Sequence, residues 1–179
     1  AFDVYMLSAW MGAQGLGAEA IEWLTNCPPG VLEQEPARMA LLDAYVARQD
    51  WSGIETCFAN EQWAGLDFIR FAYLARAASE QGQARAAALR WRSAVRAAGD
   101  RLPCLTALAR LAGAWGLADE REALLWRIAE RYPAADWALR DLHDFHLAAG
   151  NTRALHRVYE LLARNRPDDF AARNNFAAT

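Results

Sequence analysis

Five turn signals recur along this chain at an almost constant interval, and that interval constrains the fold more than any single residue. Gly15, Gln49, Gly82, Gly116 and Gly150 follow one another at spacings of 34, 33, 34 and 34 residues. Pro133 in "ERYPAAD" and Pro167 in "RNRPDD" keep the same interval, each 17 residues after its glycine. A period of this length marks a supersecondary unit that cannot bury its apolar side alone and must stack on its neighbours. Glycine suits the tight link because it accepts positive φ without a Cβ clash. Proline at the far end cannot continue a helix and so closes the second one.

Each turn is flanked by stretches with helical apolar spacing. Those before the turns run over 2–14, 36–48, 68–81, 103–115 and 136–149, and those after them over 17–26, 52–62, 83–98, 118–131 and 152–165. A last stretch, 170–178, opens a sixth unit. In the fifth unit Leu139, Leu142 and His146 are expected on one face, and Leu155, Tyr159 and Leu162 on the face of the following helix. In the third, Phe71, Leu74 and Ala78 are set against Ala87, Trp91 and Ala94, a large-against-small pairing that lets antiparallel helices approach closely. Alanine, leucine, arginine and glutamate, all strong helix formers, dominate the chain. With 54% hydrophobic and 23% charged residues it belongs among folded chains. The expected fold is all-α: an α-solenoid of stacked antiparallel helical hairpins. Its units are expected at 1–34, 35–67, 68–101, 102–135 and 136–169, with a partial one at 170–179, as one piece of a longer protein.

Cys27, Cys57 and Cys104 are odd in number and widely spaced, which fits neither a disulfide framework nor a zinc pattern. They are expected as small core residues. No apolar run reaches about 18 residues, so no membrane span is expected, and no signal peptide is evident. The compartment stays open, with the cytoplasm favoured and the soluble part of an anchored or exported protein as the alternative.

The segment "DWALRDLHDFHLAAGNTRALHRVYELLARNRPDD", Asp136 to Asp169, has a 34-residue length, a turn at Gly150, an aromatic at Tyr159 and a terminal Pro167. In these features the chain resembles the tetratricopeptide repeat family, over about five repeats and a fragment. It departs from the family pattern at His143, where a small residue is usual, and at Leu155, where alanine is usual. "NCPPG" and "NEQWAGLD" are irregular links in the first two repeats. The resemblance implies a right-handed superhelix whose first helices line a concave groove, and a non-catalytic role in binding peptides or protein surfaces.

All three histidines, His143, His146 and His156, fall between residues 142 and 159. Two histidines three residues apart, facing a third with Glu160 nearby, are a conceivable zinc set. The resemblance instead places His143 and His146 in the packing seam, partly buried and hydrogen-bonded, with His156 toward solvent or the next repeat. No metal and no cofactor are expected. Ser8, Ser52, Ser79 and Ser93 are scattered outside any nucleophile elbow, and no strand precedes a glycine-rich loop, so no enzyme is expected.

The resemblance maps the groove onto Phe2, Tyr5 and Ala9, then Met39 and Asp43, then Ile69, Tyr73 and Arg76. It continues through Thr106 and Arg110, then Trp137, Arg140 and Asp144, and Asn174 begins the partial repeat. Arg76 and Arg110 hold equivalent positions in successive repeats and are expected side by side, set to receive a peptide carboxylate or acidic segment. The carboxylate clamp of chaperone-binding family members needs a lysine and asparagines. This chain has no lysine, and the matching pairs are Tyr5/Ala9, Met39/Asp43, Ala72/Arg76 and Thr106/Arg110. The eight tryptophans are expected in packing positions, except Trp137, which faces the groove. Phe170 and Phe176 leave an apolar C-terminal edge open to self-association. The expected function is a protein-interaction scaffold, with an RNA-binding helical repeat or a self-association spacer as alternatives. The net charge of −3 and the lack of a long basic stripe beyond Arg85, Arg92 and Arg96 weigh against nucleic acid.

Overall fold

The computed structural model describes residues 2–28, 30–34 and 37–178. The expected start of the third helical stretch at position 36, and Pro29 of "NCPPG", lie outside the described residues. Among the described residues there are eleven α-helices, one 3-10 turn at Ala64–Leu66 and no strand. The helices are α1 (Phe2–Ala13), α2 (Gly17–Thr25), α3 (Ala37–Ala47), α4 (Trp51–Phe58), α5 (Asp67–Glu80) and α6 (Ala84–Ala98). They continue as α7 (Leu102–Ala114), α8 (Ala118–Arg131), α9 (Asp136–Ala148), α10 (Thr152–Asn165) and α11 (Phe170–Ala178). Among the described residues no helix is long and apolar enough to cross a membrane.

The chain divides into two compact units, Ala1–Ala94 and Val95–Thr179, and the boundary falls inside α6. In the first unit α1 packs on α2 and α3, α2 on α3, α3 on α4, and α4 on α5. Its core is built from Leu24, Leu41, Leu42, Tyr45, Ile54, Phe58 and Trp63. In the second unit α7 packs on α8, α8 on α9, α9 on α10, and α10 on α11. There the fully buried side chains include Leu105, Leu108, Leu125, Ile128, Leu139 and Leu142.

The recurring turn is one repeated backbone conformation. The backbone is left-handed at all five positions: φ is +77° at Gly15, +55° at Gln49, +73° at Gly82, +71° at Gly116 and +63° at Gly150. The residue after each turn donates its N–H to the carbonyl five residues back. These bonds are Leu16 to Met11 (2.9 Å), Asp50 to Tyr45 (3.0 Å), Gln83 to Ala78 (2.8 Å), Leu117 to Ala112 (2.9 Å) and Asn151 to His146 (2.9 Å). Each turn residue also donates to the carbonyl three back. Together these two bonds define a Schellman helix end, in which the last carbonyls find donors and the chain reverses at once. The far ends repeat as well. Tyr132 and Arg166, each followed by proline, leave the helical region of the backbone and donate to the carbonyls of Ile128 and Leu162.

Helix boundaries follow the sequence pattern except at α4, which stops at Phe58 instead of 62. A buried arginine is the physical reason. Arg70, 5% exposed, donates from Nη1 to the carbonyls of Phe58 (3.0 Å) and Ala59 (3.2 Å), and from Nε to Asp67 Oδ1 (2.7 Å). Asp67 also accepts the Trp63 N–H at 3.0 Å, and the Trp63 ring meets Phe58 edge-on at 5.3 Å. The guanidinium thus takes over the orphan carbonyls at the end of α4 and fixes the irregular "NEQWAGLD" link.

Several burial expectations need correction. Leu139, Leu142 and His146 are buried on α9 as expected, but the buried face of α10 is Leu155, Val158 and Leu161, with Tyr159 and Leu162 only half-buried. Trp10 is 56% exposed, whereas Trp63 and Trp126 are buried. Cys104 is buried, but Cys27 and Cys57 are half-exposed free thiols. Phe176 is half-buried against His156, their rings 4.8 Å apart, while Phe170 is 81% exposed.

Three substitutions test these points. Gln49→Gly removes a Cβ from a left-handed turn and should raise stability in urea unfolding by about 0.5–1 kcal/mol. Gly82→Ala should cost a similar amount through the backbone alone, because a Cβ there meets nothing within 4 Å. Arg70→Ala strands two carbonyls and Asp67, and should destabilise by about 3 kcal/mol in the same assay.

Candidate functional site: two faces of opposite charge

The expected groove residues fall in both units, and each face is described within its own unit. In the second unit α7, α8 and α9 border an open cavity of about 330 Å³. It is lined by Arg110, Trp137, Arg121, Asp141, Ala109, Gly113, Ala114 and Leu125. Arg110 and Trp137, expected in the groove, therefore meet at one cavity, contributed by α7 and α9. Arg110 is exposed and forms no ion pair among the described residues. Arg121 crosses from α8 to α9 and donates from Nη2 to Asp141 Oδ2 at 2.7 Å. Gly113 leaves room for this path: a Cβ there would lie a tight 3.2 Å from Cδ and Nε of Arg121. A second, apolar cavity of about 130 Å³ shares Gly113, Arg121 and Leu125 and adds Leu117, Glu122 and the partly exposed Phe145. An unpaired guanidinium, an indole and an adjoining apolar recess can receive a carboxylate with an apolar neighbour.

The remaining groove candidates of this unit do not line these cavities. Thr106 is half-buried, and Arg140, Asp144 and Asn174 are exposed. Asp144 does not pair with Arg140. Its Oδ1 stands 3.0 Å from Nδ1 of His143, whose Nε2 is 3.1 Å from the Tyr159 hydroxyl. His146 is 2% exposed and stacked on Trp126 at 5.9 Å, and neither of its ring nitrogens makes a hydrogen bond. This corrects the expectation of a hydrogen-bonded seam histidine. Glu122 Oε1 stands 3.4 Å from His146 Nε2 while accepting the Trp126 indole N–H at 3.0 Å. The three histidines thus have three separate settings. Among the described residues no group of three or more His, Cys, Asp or Glu side chains is arranged to hold a metal ion.

In the first unit Tyr5, Met39, Ile69 and Tyr73 are half-buried and packed against the core, from α1, α3 and α5. Phe2 and Ala9 stand exposed on α1. Arg76 is half-buried and engaged: its Nη2 is 2.6 Å from Glu80 Oε1, and its guanidinium lies 5.9 Å from the Trp51 ring centroid. Asp43 reaches solvent, yet the protein packed around it hinders hydration of the carboxylate and pushes its pKa up to about 6. Tyr73 is pushed up to about 12, first by burial and then by the charges of Asp43 and Tyr5, so these three side chains share one field.

The chain matches no protein-family model and has no significant match among curated proteins. Arg121, Asp141 and Gly113 were not anticipated from sequence. The signal that could have flagged them is Gly113, one turn after Arg110 on α7.

The raised pKa of Asp43 fixes the sign of a pH effect. Its carboxyl titrates near 3.8 when unfolded and near 6 when folded, so between these values the folded chain holds the extra proton. Asp43 therefore lowers stability as pH rises through this window, and the loss persists at neutral pH. Asp43→Asn should gain about 1 kcal/mol at pH 7, after discounting for solvent access, and nothing at pH 3.5. Urea unfolding of both proteins across this pH range checks it.

Proposed function

We propose that this chain is a tetratricopeptide-like array of stacked antiparallel helical hairpins serving as a non-catalytic interaction scaffold. In this reading the first helices, α1, α3, α5, α7 and α9, line a concave surface that holds an extended segment of another protein. The observation that carries it is the cavity of about 330 Å³ where Arg110 meets Trp137. Five equivalent Schellman ends at the repeat interval support the architecture. The unpaired charge of Arg110 favours an acidic residue in the segment, and the recess beside Phe145 favours an apolar neighbour to it.

The test is an array of acidic, neutral and basic ten-residue peptides probed with the labelled chain. Peptides pairing an acidic with an apolar residue should be enriched. Arg110→Glu should weaken them by about tenfold or more, with an unchanged melting temperature. If no peptide rises above background, or if Arg110→Glu binds as well as the original, the reading fails.

A further inference from the structure

The cavity beside Arg110 holds a second guanidinium, and a carboxylate of the chain itself keeps that one occupied. Arg110 of α7, Arg121 of α8, and Trp137 and Asp141 of α9 all line the same space. Arg110 carries no ion pair among the described residues, whereas Arg121 donates from Nη2 to Asp141 Oδ2 at 2.7 Å. Glu122, the next residue on α8, accepts the Trp126 indole N–H at 3.0 Å instead, so Asp141 alone pairs with Arg121. That pair is loosely held. Its side chains are 39% and 38% exposed, and an ion pair so open to water is screened and contributes little.

We propose that Arg110 and Arg121 together receive the phosphoryl group of a phosphorylated residue in the bound segment, and that Asp141 is the internal carboxylate it displaces. A carboxylate of the segment is a poor displacer. At Arg121 it would replace Asp141 like for like and leave one carboxylate without a cation, so it settles on Arg110 alone. A phosphoryl group carries about −1.5 to −2 charges at neutral pH and three acceptor oxygens. It outcompetes Asp141 on charge, and its third oxygen lets it accept from both guanidinium groups at once. A nucleic-acid phosphodiester, with one charge and two free oxygens, lacks this advantage. The indole of Trp137 and the apolar recess beside Phe145 then take the neighbouring residues of the segment. Asp141 thus weakens the hold on plain acidic segments relative to phosphorylated ones. This subsite rests on the scaffold reading and makes the modification state of the partner what it reads.

The test titrates the full chain with three labelled peptides, acetyl-Gly-Leu-X-Leu-Gly-amide with phosphoserine, glutamate or serine at X, and follows fluorescence anisotropy. The phosphoserine peptide should bind about tenfold tighter than the glutamate peptide, and the serine peptide weakest. Asp141→Asn frees Arg121 and removes a like charge, so it should tighten the phosphoserine peptide about three- to fivefold. A pair with a merely structural role would loosen or leave the binding instead. Replacing the pair as a unit, Arg121→Gln with Asp141→Asn, should shrink the preference for phosphoserine over glutamate to about twofold or less. Arg153→Gln, an exposed arginine of α10, should leave that preference unchanged. The proposal is overturned if the two anionic peptides bind equally, if Asp141→Asn loosens the phosphoserine peptide, if the double variant keeps the preference, or if Arg153→Gln loses as much of it. Inorganic phosphate that competes as well as the phosphoserine peptide also overturns it, since the segment is then not read. If the glutamate peptide binds through Arg110 and phosphate adds nothing, this subsite falls alone; if neither anionic peptide binds, the scaffold reading falls with it.

Discussion

The helical order of this chain depends on a backbone turn that most side chains resist. A left-handed residue lets two N–H groups return to the closing carbonyls of one helix while the next helix starts within three residues. Four of the five turns use glycine. The fifth, at Gln49, keeps the same geometry with a side chain in place, so the hydrogen bonds and the packing around them outweigh the strain. The next residue helps: Asp50 Oδ1 accepts the Gly53 N–H and the Ser52 hydroxyl, each at 2.8 Å, and so anchors the start of α4.

Where the pattern slips by one residue, a polar side chain replaces the missing regularity. Arg70 satisfies the carbonyls that the early end of α4 would otherwise leave stranded in the interior. His146 is the contrasting case. It is equally hidden, but it is kept by ring stacking on Trp126, and its nitrogens go without hydrogen bonds. Buried polarity thus serves a structural link in one unit and goes unsatisfied in the other.

The helices were legible because turn spacing and apolar periodicity are local properties. Faces were less so: on α10 the buried set is Leu155, Val158 and Leu161, since which side of a helix is covered depends on its neighbours and not on its own periodicity. Arg110 and Trp137 were each named as groove candidates, but they hold different positions in the repeat, and their meeting at one cavity was not foreseen. Nor was the route of Arg121 across Gly113, since it depends on a side-chain rotamer. Engagement of Arg76 by Glu80 was readable from their four-residue spacing.

Within each unit the packed helices are next to one another in the chain, or next but one. Amide hydrogen exchange in such an arrangement reports small cooperative segments rather than one global event. The Phe58 and Ala59 carbonyls are tied to Arg70, twelve and eleven residues onward, and this clasp joins the end of α4 to α5. Those two helices are thereby coupled, within the stretch bounded by the turns at Gln49 and Gly82.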